Sequence, residues 1–188
     1  MSGHSGGWLS ATCTVHLAAL IALTHDVAEL QPGFEHVNTK PAACVALYGA
    51  YDFTDRHGCR RDGKSYVRWL GANVMPCPLG RDPSAWESAS PMAQVRADAP
   101  PCFILHGTHD AMVPAREARS FAEQLRAVSM NPVVYAELPG AHHGWDHWRS
   151  TRTLRSIDGI VRFLEWCLAR EPIADSPRDG NSANRASS

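Results

Sequence analysis

The chain has 188 residues, long enough for one domain with a real core, and 44% hydrophobic with 20% charged residues is ordinary composition for a folded globular protein. Eighteen basic against nineteen acidic residues leave a net charge of -1, which removes the electrostatic reason to expect nucleic acid or an anionic membrane as partner and points to a small molecule. The longest apolar run, around Leu17 to Leu23, is far too short for a membrane span and has no basic leader before it, so the chain as given reads as cytoplasmic.

In chain order, "GHSGG" (Gly3 to Gly7) comes first, and a helical pattern rich in alanine and leucine follows from Gly7 to Thr24 and is expected to be buried. The loop "QPGFEHVNTKP" leads to "AACVALYG", a short apolar run bounded by Pro41 and Gly49 that reads as a buried strand. Residues 50–85 are irregular, rich in Gly, Pro, Asp and Arg, and are expected to form a lid-like excursion with one short helix. "PPCFILHG" is a second strand, and "VPAREARSFAEQLRAV" is an amphipathic helix with Pro114 near its start. "NPVVYAELPG" is a third strand. A last helix, about 152–170, is expected to bury Leu154, Ile157, Val161, Leu164 and Leu168 on one face. Residues 171–188 are polar and aperiodic and read as a disordered tail, which makes 1–170 the folded domain. Strands alternating with helices imply an α/β fold whose parallel sheet is flanked by helices, with sites on the loops after the strands.

Six cysteines are scattered with no C-x-x-C spacing. Cys13, Cys44, Cys102 and Cys167 lie in apolar runs and read as small buried hydrophobes, and Cys59 and Cys77 read as two free thiols in preference to a pair.

The chemistry gathers on three of the loops. "GHSGG" matches the G-x-S-x-G pattern of a nucleophile elbow, a tight strand-to-helix turn that exposes a serine hydroxyl. Ser5 is the candidate nucleophile; Gly6, the next residue, supplies an amide N–H aimed at the developing oxyanion. A helix N-cap is the plainer role for Ser5. A serine needs a base, and the base needs a carboxylate to hold its tautomer. Asp110 in "HGTHDAMVP", just past the second strand, is the candidate acid; its competing role is a cap near the start of the following helix, and Asp52 in "YGAYDF" is the rival acid. In "LPGAHHGWD" the candidate base is His143, because Gly144 after it lets the loop fold back, and His142 is expected to face solvent. A metal site on His143 and His147 would need a shared helical face and a third ligand, which the glycine argues against. The order Ser, Asp, His is that of the α/β-hydrolase triad.

On "GHSGGWLSA", "QPGFE", "AACVALYGAYDFTD", "HGTHDAMVP" and "PVVYAELPGAHHGWD", the chain resembles the C-terminal half of an α/β-hydrolase of the carboxylesterase and lipase type, near the actinobacterial relatives of hormone-sensitive lipase and the feruloyl-esterase-like group. The resemblance runs from about residue 3 to 170. It implies hydrolysis of a carboxylic ester through an acyl-enzyme, with Ser5, Asp110 and His143 as triad, a small-molecule ester as partner, and no metal or organic cofactor. Within the fold an amidase or peptidase is the alternative, and outside it an inactive chain acting only as a binding or vestigial module. The family's strands before the elbow, and its His-Gly-Gly loop that completes the oxyanion hole, have no counterpart in these residues. The expectation is therefore of a chain with little esterase activity on its own and an open sheet edge through which copies can associate.

Overall fold

The computed structural model describes residues 6–170, with side chains from Val15 onward. Ser5 and the segment 171–188 lie outside the described residues, as does the side chain of Cys13.

The frame is a parallel three-stranded sheet in the order β1 (Cys44–Leu47), β2 (Cys102–Gly107), β3 (Val133–Leu138). Its registers run from Cys44 opposite Cys102 and from Cys102 opposite Val133. Every residue of β2 is buried, as a central strand covered on both faces must be. Alternate side chains feed two separate cores. On one face Cys44, Ala46, Cys102 and Ile104 meet Ala19, Ala22 and Leu23 of helix α1 (Gly6–Leu23) together with Phe121, Ala122 and Leu125 of α4 (Ala115–Val128). On the other, Phe103 and Leu105 meet Phe163 and Cys167 of α5 (Thr151–Leu168), along with Tyr48, Ala141 and Trp145. The three strands, α1, α4 and α5 fall where the sequence pattern puts them, within two residues or so at each end.

Three expectations need correction. The excursion after β1 carries two helices, α2 (Gly63–Asn73) and α3 (Pro83–Ser88), where the sequence suggested one. Each starts on an aspartate cap: Asp62 accepts from the Ser65 amide and Asp82 from the Ala85 amide, with Pro83 at the first turn of α3. They close over their own apolar cluster of Ala50, Phe53, Leu70, Trp86 and Val113.

The described part of the first helix, residues 15–23, is only half-buried, for Leu17 and Ile21 face outward beside the buried Ala19, Ala22 and Leu23. The sharper departure is α5. Leu154, Ile157, Val161, Leu164 and Leu168, expected inside, are 36–62% exposed. The stripe that reaches the sheet is Thr153, Ser156, Phe163 and Cys167. Two apolar stripes lie side by side on this helix, and the aromatic ring decides between them: Phe163 packs on Phe103 of β2 with ring centroids 5.4 Å apart.

Cys44, Cys102 and Cys167 are buried, and Cys59 and Cys77 are free thiols, in agreement with the reading of their surroundings.

Candidate active site

The loops leaving β2 and β3 meet at the carboxyl end of the sheet. Their approach depends on Gly107, where an added Cβ would stand 2.3 Å from the Ala141 carbonyl oxygen, so no other residue fits there without moving the backbone. That closeness lets the His109 amide donate to the same carbonyl at 2.9 Å. Three residues past Ala141, Gly144 takes φ of +66°, the left-handed region that glycine enters without steric cost, and turns the chain back after His143. As a result His143 Nδ1 lies 2.7 Å from Asp110 Oδ2, with both side chains buried.

The two oxygens of Asp110 divide the roles that competed in the sequence. Oδ1 accepts from the amides of Met112 at 2.9 Å and Val113 at 2.8 Å, closing the turn ahead of α4. Oδ2 takes the Nδ1–H of His143. Burial works against a charge here, yet hydrogen bonds from His106, His143 and the Val113 amide outweigh it and hold the carboxyl well below the usual carboxylate range. An ionised Asp110 fixes the Nδ1–H tautomer of His143, and in the neutral ring the lone pair is then on Nε2.

Asp52, the rival acid, is buried but otherwise engaged. Its Oδ1 accepts from the Thr54 amide and hydroxyl and its Oδ2 from the His57 amide, so it stabilises the first turn of the excursion. His142 is exposed and donates to the His109 carbonyl at 3.1 Å. Ser5 lies outside the described residues, and Gly6 is the first residue of α1.

Two side chains around the pair were not singled out in the sequence. Tyr48, at the end of β1, has φ of +49°, a strained conformation for an aromatic residue, and sets its ring 4.7 Å from the His143 ring. Its hydroxyl donates to Asp146 Oδ1 at 2.9 Å, and burial together with that neighbouring carboxylate pushes its pKa up, so it stays an uncharged donor. His106, fully buried on β2, stands 3.3 Å from Asp110 Oδ2. For His106 a signal was available, its position four residues before Asp110; for Tyr48 there was none.

A buried ion pair ties the excursion to this loop system. Glu117 of α4 accepts from the Tyr51 and Asp52 amides and pairs with Arg60 at 2.7 Å, while Arg60 donates to the Met112 carbonyl and lies over the Tyr66 ring. As to metals, His25, Asp26 and Asp98 have ligand atoms within 4.8 Å of one another among the described residues, but Arg96 already pairs with both carboxylates. No described helix is long and apolar enough to cross a membrane.

Comparison with known proteins gives consistent findings. The family model described as BD-FAE matches residues 4–125. The probable carboxylic ester hydrolase LipM of Mycobacterium tuberculosis is 38% identical over 162 residues, 86% of this chain and 37% of the relative. Esterase LipC of the same organism is 39% identical over 150 residues, 79% of this chain and 37% of the relative. Among solved structures, the thermophilic esterase Est2 of Thermogutta terrifontis superposes with a TM-score of 0.57 at 23% identity, covering 81% of this chain and 51% of that one. A truncated carbohydrate esterase from gut microbiota superposes at 0.63 and 18% identity over 80% of this chain and 56% of its own. The chain thus spans little more than a third of the length of the curated relatives.

Proposed function

The chain belongs to the BD-FAE family of α/β-hydrolase esterases, and from that premise we propose that it carries the nucleophile, acid and base of a serine carboxylesterase: Ser5, Asp110 and His143, with the Gly6 amide as an oxyanion donor. The observation that carries the proposal is the buried 2.7 Å contact between His143 and Asp110 at the carboxyl end of a parallel sheet. The partner is a small-molecule ester.

The chemistry follows from the tautomer. With Nδ1–H held by Asp110, His143 Nε2 takes the proton of Ser5 as Oγ attacks the ester carbonyl carbon. The carbonyl oxygen becomes an oxyanion facing the Gly6 amide. Collapse breaks the bond to the alcohol oxygen, which leaves with the proton from Nε2, and the acyl group stays on Ser5. Water then repeats the sequence, with Nε2 accepting its proton and returning one to Ser5.

The test is ester turnover followed with p-nitrophenyl butyrate in a protein that also carries the family's strands before the elbow, combined with mapping of a fluorophosphonate adduct. Ser5→Ala removes the only group able to form the acyl-enzyme and lowers turnover by a factor on the order of a million, as loss of the serine does in a measured triad enzyme. Asp110→Asn allows the wrong imidazole tautomer and costs about ten-thousand-fold. Asp52→Asn costs far less, because its partners are turn groups. A phosphonate adduct on any residue other than Ser5, or a crippling effect of Asp52→Asn, overturns the assignment.

A further inference from the structure

His106 is the one fully buried histidine among the described residues, and the mechanism above makes no use of it. It ends β2 one residue before Gly107, and its ring turns back under the loop that carries Asp110. Nε2 has two neighbours: the Val113 carbonyl oxygen at 2.8 Å and Asp110 Oδ2 at 3.3 Å. Both are acceptors. A carbonyl cannot donate, and an ionised carboxylate cannot either, so the proton must be on Nε2, where it points to the carbonyl and leans on the carboxylate. Nδ1 is buried and has no hydrogen-bond partner among the described residues. A buried polar atom without a partner destabilises the fold. Filling the same space with an aliphatic side chain would avoid that cost, so the imidazole is retained here for what Nε2–H does.

From this arrangement we infer that His106 is a positioning residue of the site: its Nε2–H holds the Val113 carbonyl and shares Asp110 Oδ2 with His143, which fixes the acid loop and moderates the bond from Asp110 to the base. The inference rests on the reading of Asp110 and His143 as acid and base. Two donors on one oxygen compete, for each draws on the same charge. His106 therefore helps to keep Asp110 ionised and weakens the hydrogen bond between Asp110 Oδ2 and His143. The loop has a second lock at the same residue, because the Val113 amide donates to Asp110 Oδ1.

The experiment uses the same protein as the turnover assay, with 15N-labelled histidine, long-range imidazole correlation spectra, and steady-state kinetics on p-nitrophenyl butyrate. In the wild type His106 shows the Nε2–H tautomer. In His106→Phe, which keeps an aromatic ring and removes the donor, the His143 Nδ1 proton moves downfield as Asp110 Oδ2 turns wholly to it. There kcat falls by about tenfold to a hundredfold with KM nearly unchanged, the size of one hydrogen bond to a charged group. His106→Gln, whose amide nitrogen reaches to a similar depth, restores most of the shift and of kcat. A His106 ring protonated on Nδ1 alone, or a His143 proton unmoved in a folded His106→Phe, overturns the inference. Should His106→Phe fail to fold, Asp110→Asn decides: it must displace the His106 Nε2–H resonance as well as that of His143, and an unmoved His106 proton overturns the inference. Failure of the acid and base reading looks different, as Asp110→Asn would then keep its ester turnover whatever His106 does.

Discussion

Asp110 shows how one carboxylate can serve a turn and a histidine together. Because Oδ1 takes the Met112 and Val113 amides and Oδ2 the two imidazoles, asparagine in its place can still accept through its carbonyl oxygen while losing the charge. The difference in stability between wild type and Asp110→Asn therefore reports the charge together with the second acceptor oxygen, which the amide nitrogen replaces. Folding lowers the Asp110 pKa, against burial, through His106, His143 and the Val113 amide. For a carboxyl depressed in the folded state, the stabilisation is complete above the unfolded value of about 3.9 and is lost as pH falls through the lower folded value. Urea unfolding at pH 7 is expected to find Asp110→Asn less stable by about 1.5–3 kcal/mol, the range for hydrogen bonds to a charged group. The difference should persist to about pH 4 and shrink below it. A gap that stayed constant down to pH 2 would mean that the carboxylate is not held in its charged form by these partners.

At the scale of elements, α5 is where pattern and packing part company. Leu154, Ile157, Val161, Leu164 and Leu168 follow helical spacing as well as any buried face does, yet the stripe against the sheet is the one with Phe163 and Cys167. Substitution separates the two. Phe163→Ala should destabilise the protein by about 3–5 kcal/mol, the usual cost of emptying a buried aromatic site. Ile157→Lys or Val161→Lys, on the outward stripe, should stay within about 0.5 kcal/mol of wild type. Equal losses from both sets would show that both stripes are covered. Much else was legible: each strand is a short apolar run closed by a turn residue, and the meeting of Asp110 with His143 could be read from their places after successive strands and from Gly144. What stayed hidden depends on contacts between distant residues. Tyr48 has a left-handed backbone that no periodicity reports, and the two stripes of α5 differ only in what Phe103 presents to them. The second helix of the excursion did carry a signal, Asp82 before Pro83, outweighed by the surrounding Gly and Pro.

Among the described residues the buried apolar side chains form three clusters, two sandwiching the sheet and a third inside the excursion around Trp86. Trp86 is fully buried and its indole N–H donates to the Cys77 carbonyl at 2.9 Å, so it pins α3 to the segment that follows α2. The third cluster shares no residue with the other two, but it includes Val113, three residues past Asp110. Segments that bury their own small cluster open independently of the main core, with a lower free energy. Trp86→Ala should therefore loosen the excursion, with faster amide exchange and proteolytic cutting between about residues 60 and 90, while the amides of β2 keep their protection. The Arg60–Glu117 pair, buried at both ends, gives this opening a limit, since separating it would strand a charge at a cost of about 3–5 kcal/mol. The functional consequence follows from Val113. Once its side chain loses Trp86 and its neighbours, the turn that Asp110 Oδ1 and His106 both grip becomes mobile, and the acid is no longer fixed opposite His143. Hydrogen exchange read by mass spectrometry on Trp86→Ala is expected to show loss of protection in the excursion and in residues 110–114 together, with β2 unchanged. Simultaneous loss across β2 would make the excursion part of a single cooperative unit, and loss confined to the excursion would uncouple it from the site.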